Sequence, residues 1–406
     1  MPVPERACGQ ALSGLRVLDL CWVVAGPAVG RVLADHGAEV VRVESSTRLD
    51  TARLIGPFHD GAPTAESSIL YGDVNAGKLG LTLNLGLEQA RDVLRDLVRR
   101  SDVVLESFSP GVMEGWGLGY DELRALNESV IVLSTSLMGQ TGPLGRFAGY
   151  GNIGAAMSGF QSLVGWPDRV PFGPYGPYSD YVAPRFALVM LLAALDRREE
   201  TGEGCHIDVA QVETAAYFLA PQIADYLESG HVAERMGNRD PGMAPHGVYP
   251  SSDGRWVAIA VRGDSDWRAL TEQLGGVSDE RFATVAGRLA HVDELDALVG
   301  EWTARQPAAA VEALLQEHGV PAHVALDSET ALDDAQFRSR GHFVELEHEL
   351  YGKTVVQGPR QRLSRTPAVV DRAAPTLGRD NDHVLRDLLG YDEARVAALD
   401  EVGALT

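Results

Sequence analysis

The sequence predicts an α/β protein built around a parallel sheet, and three segments near its start support this prediction. Leu15–Leu20 is an apolar run typical of a buried strand, and Glu39–Glu44 (EVVRVE) has the same character. Between them, Gly26 and Pro27 open a helical segment that extends to about His36. This strand–helix–strand order implies two parallel strands joined by a crossover helix, the repeating unit of α/β folds.

The same alternation continues along the next part of the chain. Leu87–Arg100 is predicted to be an amphipathic helix, because its apolar residues share one side and its arginines lie on the other. Further strands are predicted at Leu81–Leu85, Asp102–Glu106, Val130–Ser134 and His206–Val209, and further helices at Phe186–Arg198 and Gln211–Leu227.

The chain is long enough for two domains, since it has 406 residues and a domain usually holds roughly 100–200. Gly, Pro, Asn and Asp are frequent over Gly230–Pro250, which predicts a linker there. Beyond it, a strand at Arg255–Val261 and a helix at Asp266–Leu274 begin a smaller α/β unit that ends near Pro321. The tail from Leu326 has mixed helix and strand character.

Charge and cysteine usage exclude several classes of protein. A formal net charge of −22 argues against a nucleic-acid partner, and it requires a locally positive pocket for any anionic ligand. Cys8, Cys21 and Cys205 are too few and too scattered for a disulfide framework or a metal site. We therefore expect a reduced protein that binds no metal.

Membrane and secretory signals are also weak. The N-terminal stretch MPVPERACGQ lacks the apolar region of a signal peptide. The longest apolar run, Phe186–Leu195, is shorter than the roughly 20 residues that span a bilayer. We expect a cytoplasmic protein without a membrane partner.

Two glycine-containing turns raise nucleotide binding as an alternative. Ala25–Gly30 (AGPAVG) follows a strand, but it lacks the middle glycine of the dinucleotide fingerprint. Gly72–Lys78 (GDVNAGK) matches the first part of a phosphate-binding loop, but Leu79 replaces the Ser or Thr that binds Mg²⁺. NAD and ATP are therefore disfavoured, although a lysine after a glycine turn can still bind a phosphate as a point charge.

Asp180 is the carboxylate of greatest interest, in the segment GPYGPYSDYVAPRF. One interpretation is that Asp180 caps the following helix, and Pro184 in its first turn fits a helix start. The other is that the same position keeps the carboxylate ionised in a cleft, where it can act as a nucleophile. The residues around Asp180 alone leave both interpretations open.

Several segments, in their order along the chain, resemble the class III CoA-transferase family (CaiB/BaiF), which includes formyl-CoA transferase, carnitine CoA-transferase and α-methylacyl-CoA racemase. The segments are Leu12–Glu44, Asn75–Leu85 (NAGKLGLTLNL), Ser101–Leu123, Gly151–Gly159 (GNIGAAMSG), Thr201–Phe218 and His318–Ala325. No single motif is specific, but the ordered set covers most of the chain.

The resemblance implies a Rossmann-like large domain with a parallel sheet, a smaller inserted α/β domain, and an interlocked homodimer. Applied to this chain, it predicts the large domain over 1–225, a linker over 226–250, the small domain over 251–325, and a return segment over 326–406 that completes the large domain.

The resemblance also assigns site residues. The nucleophilic aspartate of the family corresponds to Asp180, and coenzyme A is a co-substrate with no tightly bound cofactor and no metal. The predicted CoA contacts are Val24, Ala25, Arg48, Lys78, Leu83, Ser107, Phe108, Trp116 and Tyr150. Two arginines that bind CoA phosphates in formyl-CoA transferase are replaced here by Ser45 and Gly115, so Arg48 or Arg42 is the expected substitute.

The expected activity is CoA transfer from an acyl-CoA to a carboxylic acid through aspartyl-anhydride and aspartyl-CoA thioester intermediates. An α-methylacyl-CoA racemase is the alternative, but Tyr150 stands where that branch needs a histidine, unless His246 serves as the base. A catalytically silent acyl-CoA-binding protein is a second alternative. The glycine-rich loop of the oxalate site is absent, so succinyl-CoA is the expected donor and a substituted or aromatic acid the expected acceptor.

Overall fold

A computed structural model of the chain describes residues 9–406, and Cys8 lies outside the described residues. The strands are β1 Arg16–Asp19, β2 Glu39–Glu44, β3 Leu79–Thr82, β4 Val103–Glu106, β5 Ile131–Ser136, β6 His206–Ala210, β7 His246–Pro250, β8 Trp256–Ala260, β9 Ala322–Val324, β10 Phe343–His348 and β11 Gly352–Gln357.

The helices follow in the same chain order. They are α1 Ala25–Asp35, α2 Ile69–Asn75, α3 Glu88–Val98, α4 Val112–Gly115, α5 Tyr120–Leu126, α6 Gly151–Met157, α7 Phe160–Leu163, α8 Tyr178–Thr201, α9 Gln211–Ala216, α10 Ala220–Ser229, α11 Asp264–Gln273, α12 Val285–Ala290, α13 Val292–Thr303, α14 Ala308–Glu317, α15 Ser328–Asp333, α16 Ala335–Ser339 and α17 Glu393–Glu401.

The predicted α/β class with a parallel sheet is confirmed. Six strands form one sheet in the order β3-β2-β1-β4-β5-β6, and every neighbouring pair is parallel. The order reverses between β1 and β4, because β2 and β3 extend to one side of β1 and the later strands to the other. In such sheets, ligands bind outside the carboxyl ends of the strands at this switch point.

Both faces of the sheet are covered, so its strands are apolar on both sides. On one face, Val17 and Leu133 pack in a cluster with Leu33 of α1 and Leu191 of α8. On the other face, the alternate residues of the same strands pack against α3, α5 and α17. The strands therefore lack the polar–apolar alternation of a half-exposed sheet.

The free edge of β3 is closed by the end of the chain. Gly80 N–H donates to Asp380 at 2.7 Å, and Thr82 N–H donates to the side chain of Asn381 at 2.9 Å. Because an open edge strand invites pairing with another chain, these side chains protect the sheet. The residues up to Phe160, Pro174–Ser229 and Arg338–Thr406 form one compact unit.

A second compact unit contains Gln161–Gly173 and Gly230–Phe337, and the predicted small domain lies within it. Its antiparallel sheet has the order β7-β8-β9. Apolar residues of α11, α13 and α14 pack in its core with the strands. The predicted linker is structured at its end, because β7 occupies its last five residues.

Six fully or almost fully buried charged side chains lie near the carboxyl ends of β1 and β2. Three are carboxylates and three are cations, so their formal charges cancel; they are Asp19, Glu44, Asp50, Arg42, Arg53 and Lys78. Lys78 Nζ lies 2.7 Å from Asp19 Oδ2, and Arg42 donates to Asp50 at 2.6 Å. Burial alone would raise the pKa of Asp19, but Lys78 and Arg42 hold it below its ordinary value.

Helix α8 is longer than predicted, and among the described residues it alone is long and apolar enough to cross a membrane. Two features favour a core helix instead: its Leu188 and Leu191 are buried with α1, and it carries several charged residues. Its other side exposes Val189, Met190 and Leu192, and α10 exposes Ile223 and Leu227. An exposed apolar area of this kind is typical of an interface, so it supports a second copy; the interlocked dimer stays a prediction.

Replacing Lys78 by alanine should destabilise the protein strongly, because the buried Asp19 would lose its closest cation and keep only the more distant Arg42, at 3.6 Å. The expected loss is about 3–5 kcal/mol in the free energy of unfolding, measured by urea denaturation. The matched control is Lys353→Ala, which breaks an exposed pair with Glu345 and should cost about 0–1 kcal/mol. Equal, small losses in both variants would contradict the importance of the buried pair.

Candidate active site

Asp180 lies in the first turn of α8, not at its cap. The helix begins at Tyr178, and Pro177 occupies the cap position without a side-chain hydrogen bond. The interpretation of Asp180 as a capping residue is therefore wrong. Pro184 falls in the second turn, and it has no N–H to donate to the Asp180 carbonyl four residues earlier.

The Asp180 carboxylate is buried, with the residue only 4% exposed. Burial raises its pKa to about 6, and a hydrogen bond from the Gly151 amide opposes this rise. No cation among the described residues contributes to this shift. Asp180 is thus a carboxylate that titrates just below neutral pH and is not committed to an ion pair.

Gly151, the first residue of α6, makes this close approach possible. A Cβ atom on Gly151 would lie 2.7 Å from the Pro177 carbonyl oxygen and 2.9 Å from Asp180 Cγ. Two other glycines near Asp180 in the sequence have different surroundings: an added Cβ atom would lie 2.9 Å from Leu137 at Gly149 and would meet nothing within 4 Å at Gly176. Only Gly151 of the three touches Asp180.

The residue before Asp180 ties α8 to α6 and α9. Ser179 Oγ donates to the Gly151 carbonyl and to Gln211 Oε1, each at 3.3 Å. A Cβ atom on Gly154 would lie 2.4 Å from Ser179 Oγ, so α6 needs glycine on this side. The spacing of the glycines in GNIG was the sequence signal for this contact.

The three tyrosines near Asp180 differ in their surroundings. Tyr175 is fully exposed, whereas the ring of Tyr178 packs edge-on against Phe160 at 4.7 Å. Tyr181 follows Asp180 directly, and burial, Asp73 and Asp180 raise the pKa of its hydroxyl. Tyr178 therefore contributes packing, and Tyr181 lies beside the carboxylate.

Several predicted CoA contacts meet at the switch point between β1 and β4. The Phe108 ring packs edge-on against Trp116 at 5.3 Å and against Trp22 at 6.3 Å. Arg48 lies over the Trp22 ring at 5.3 Å, and Trp22 N–H donates to Ser107 Oγ at 2.8 Å. Sequence reasoning missed Trp22, although its place after the first strand was a usable signal.

Other predicted contacts are inside the protein. Lys78 is 0% exposed, and its ammonium donates to Asp19, to the Pro27 carbonyl and to Asn75 Oδ1 at 2.7–2.8 Å. The structure therefore argues against Lys78 as a phosphate ligand, because its donors are used within the fold. The side chains of Leu83, Val24 and Ala25 are also buried.

Tyr150 is in a different position, because it is 54% exposed and precedes Gly151 at the start of α6. His246, the alternative base, lies in the second unit, where its ring nitrogen is 2.6 Å from the Asn238 carbonyl oxygen. It lines a pocket of about 710 Å³ within that unit, together with Trp166, Arg235 and Arg239.

Sequence reasoning also missed Glu106, at the end of β4. Its carboxylate accepts a hydrogen bond from Phe108 N–H at 2.7 Å, which fixes the turn that carries Ser107 and Phe108. Burial raises its pKa to about 7, although hydrogen bonds from Ser134 and Phe108 oppose this. Glu106 thus supports the aromatic side of the cleft.

The nucleotide alternatives do not fit the structure. Gly26 and Gly30 lie within α1, where added Cβ atoms would lie 2.2 Å from Cys21 Sγ and 2.8 Å from Asp19 Oδ2. These glycines therefore serve helix–strand packing. The GDVNAGK segment is helical up to Asn75 and does not form a phosphate loop. Within residues 9–406, no group of three or more His, Cys, Asp or Glu side chains is placed to hold a metal.

Comparison with known families matches residues 12–381 to the family described as CoA-transferase family III. The chain belongs to this family. The chain is therefore a CoA-transferase that uses CoA thioesters as co-substrates. The resemblance noted in the sequence is confirmed.

Related proteins align with nearly the whole length of this CoA-transferase. It is 36% identical to a succinyl-CoA–D-citramalate CoA-transferase of Chloroflexus aurantiacus, over 96% of this chain and 97% of that protein. It is also 36% identical to a succinate–glutarate CoA-transferase of Agrobacterium fabrum, over 93% and 95%. A CaiB/BaiF family protein from Brucella suis has a similar structure, with a TM-score of 0.85, 33% identity, and coverage of 94% of this chain and 100% of that one.

Replacing Gly151 by alanine should lower kcat for CoA transfer about 100-fold, because the new methyl group would displace Asp180. Steady-state kinetics on the folded variant test this. The control is Gly72→Ala within α2, where the added Cβ atom would meet no atom outside the helix within 4 Å and alanine suits the helix. Wild-type kcat in a folded Gly151→Ala variant would show that this contact is dispensable.

Proposed function

We propose that the CoA-transferase moves CoA from an acyl-CoA to a carboxylic acid through covalent intermediates on Asp180. The observation that carries this proposal is a buried carboxylate that receives one backbone amide and no cation. Such a group is desolvated, ionised at neutral pH and free to attack.

In the first half of the reaction, the Asp180 carboxylate attacks the thioester carbonyl. The carbon–sulfur bond breaks, CoA leaves as a thiolate, and a mixed anhydride forms. The thiolate then attacks the aspartyl carbonyl, which releases the donor acid and leaves an aspartyl-CoA thioester. The acceptor carboxylate attacks this thioester, which breaks the carbon–sulfur bond, releases the thiolate and forms a second mixed anhydride. The thiolate then attacks the acceptor carbonyl of this anhydride, which gives the new acyl-CoA and releases the Asp180 carboxylate.

The Gly151 amide has a role in each step at the aspartyl carbon. It already donates to the Asp180 carboxylate, and an oxyanion develops at this group when the aspartyl carbonyl is attacked. A preorganised amide of this kind is worth about 3–4 kcal/mol to a transition state. Because the amide belongs to the start of α6, its position is fixed before the substrate binds.

The pantetheine and nucleotide of CoA are proposed to bind at the switch point between β1 and β4. Trp22, Phe108 and Trp116 offer aromatic faces there, and Arg48 is the nearby cation. The names of the relatives suggest succinyl-CoA as donor. Arg42 is excluded from the phosphate role, because it is fully buried and bound to Asp50.

Trapping provides the direct test of the nucleophile. Acyl-CoA is added, the enzyme is treated with hydroxylamine or borohydride, and the peptides are mapped by mass; the label should fall on Asp180. Asp180→Asn should lower kcat at least about 1,000-fold. The matched control is Asp196→Asn, an exposed aspartate on the same helix, which should keep wild-type activity.

Stability distinguishes lost chemistry from lost folding. The folded pKa of Asp180 lies above that of an unfolded aspartate, so its ionisation reduces stability as the pH rises from about 4 to about 6. Asp180→Asn should therefore be more stable than wild type at pH 7, by about 3 kcal/mol. In the trapping experiment, a label on a residue other than Asp180 would reject the proposal. Deuterium exchange at the α-carbon of the acyl group without CoA transfer would reject it in favour of a racemase.

The pH dependence of kcat/KM should show a rising limb with a midpoint near 6, because only ionised Asp180 attacks and this profile reports the free enzyme. Glu106 titrates nearby, with a pKa of about 7. The rising limb near pH 6 should therefore be kept in the Glu106→Gln variant, even if this substitution changes the maximum value of kcat/KM. A limb that disappears in Glu106→Gln would assign the titration to that residue.

A further inference from the structure

Ser179 carries a fully buried hydroxyl beside the proposed nucleophile, and the proposed mechanism gives it no role. The residue is 0% exposed, and its Oγ lies 3.3 Å from the Gly151 carbonyl oxygen and 3.3 Å from Gln211 Oε1. Hydroxyl donors usually come within about 2.7–2.8 Å of their acceptors, and a serine has one hydrogen to donate. The two long distances therefore describe one hydrogen that is shared between an acceptor on α6 and an acceptor on α9.

Two consecutive residues of α8 hold Gly151. Its amide donates to the Asp180 carboxylate, and its carbonyl oxygen accepts from Ser179. The contact is close, because a Cβ atom on Gly151 would lie 2.9 Å from Asp180 Cγ. One turn later, a Cβ atom on Gly154 would lie 2.4 Å from Ser179 Oγ. Glycine at both positions thus lets α6 lie directly against Ser179 and Asp180.

The direction of the Gly151 amide depends on these contacts. Gly151 is the first residue of α6, so its N–H has no acceptor within the helix. Tyr150 occupies the cap position without a side-chain hydrogen bond, and a glycine has no Cβ atom to restrict its backbone. The Ser179 hydroxyl holds the carbonyl end of Gly151 from outside α6, which leaves the N–H directed at Asp180.

We propose that Ser179 is a positioning residue, whose hydroxyl anchors the Gly151 carbonyl so that the Gly151 amide stays directed at Asp180 during CoA transfer. This inference rests on the proposed function, in which Asp180 is the nucleophile and the amide stabilises the oxyanion. Ser179 acts through Gly151 and takes no part in bond making. Its hydrogen bond to Gln211 has a separate role, which is to join α8 to α9.

Loss of this anchor has two consequences at Asp180. A Gly151 amide that turns away stabilises the oxyanion less, which slows the chemical steps. It also stabilises the ionised carboxylate less, which raises the pKa of Asp180 above about 6. A hydroxyl that served only to pack α8 against its neighbours would change neither property.

The kinetic test is Ser179→Ala, in which kcat for CoA transfer should fall about 10-fold while the KM for acyl-CoA changes less than about 2-fold. The matched control is Ser158→Ala, which should keep both wild-type values. Ser158 is also buried, and its hydroxyl donates to the Ala155 carbonyl within α6 at 3.1 Å.

A third variant distinguishes the two acceptors of the Ser179 hydroxyl. Gln211→Leu removes only the competing acceptor, so its kcat should stay within about 3-fold of the wild-type value. Equal losses of kcat in Ser179→Ala and Gln211→Leu would overturn the inference, because they would assign Ser179 to the joining of α8 and α9.

An ionisation measurement separates this inference from the proposed chemistry. Unfolding free energies of the wild type and Asp180→Asn, compared across pH, give the midpoint at which Asp180 ionises in the folded protein, near pH 6. The same comparison in a Ser179→Ala background should give a midpoint about 1 pH unit higher, and in a Gln211→Leu background it should not rise. The Tyr181 hydroxyl stays protonated in this range, because burial, Asp73 and Asp180 raise its pKa.

A raised midpoint in Ser179→Ala without a trapped adduct on Asp180 would reject the proposed chemistry and support the positioning of Gly151 by Ser179. A midpoint that stays near 6 in folded Ser179→Ala would reject the positioning role, whatever the kcat, and leave the chemistry intact. If Ser179→Ala does not fold, the Gln211→Leu background decides: a raised midpoint there would overturn the inference, and an unchanged or lowered one would support it.

Discussion

The ion pairs beneath the carboxyl ends of β1 and β2 are the constraint on which the rest of the site depends. Asp50 accepts hydrogen bonds from Arg42 and from the amides of Val23 and Ala52. Val23 has a φ of 65°, which is sterically unfavourable for a β-branched residue and costs about 1–3 kcal/mol. The buried Asp50 carboxylate thus stabilises the strained turn at Val23, where the chain leaves β1 at the switch point.

That turn determines where α1 begins, and α1 in turn connects the parts of the site. Gly26 and Gly30 let α1 approach the end of β1, so the helix packs closely on the sheet. Its apolar side meets α8, which carries Asp180, and its Arg31 donates to the Gln357 carbonyl of the return segment. A change in the buried ion pairs would therefore shift α1 and, through its packing on α8, the Asp180 carboxylate.

The sequence allowed the parallel sheet to be predicted, because strand periodicity is a local signal, and the ordered motifs singled out Asp180 as the candidate nucleophile. It did not predict the surroundings of Asp180. The amide donor, Gly151, is the first residue of α6, and α7 and a long loop separate it from α8 along the chain. Such contacts depend on tertiary packing, which no local pattern reports.

Two local interpretations failed for physical reasons. Pro184 suggested a helix start close to Phe186, but α8 begins at Tyr178 because a proline in the second turn forfeits only one hydrogen bond. The position of Lys78 after a glycine turn suggested a phosphate ligand. Its ammonium lies in the core instead, where it neutralises the buried Asp19 carboxylate. In each case the motif was compatible with two environments, and packing selected one.

The absence of a cation acting on Asp180, among the described residues, has a chemical consequence. A cation paired directly with Asp180 would lower its pKa and also weaken it as a nucleophile, because the negative charge would be shared in hydrogen bonds. Among the described residues, the Asp180 carboxylate receives only the Gly151 amide, and burial keeps its pKa at about 6. An incoming acid must bring its own negative charge toward Asp180, and repulsion at short range in a desolvated site is large. In the proposed thioester intermediate, the Asp180 carbonyl is bonded to CoA and carries no charge, so an anionic acceptor that arrives at this stage does not meet that repulsion.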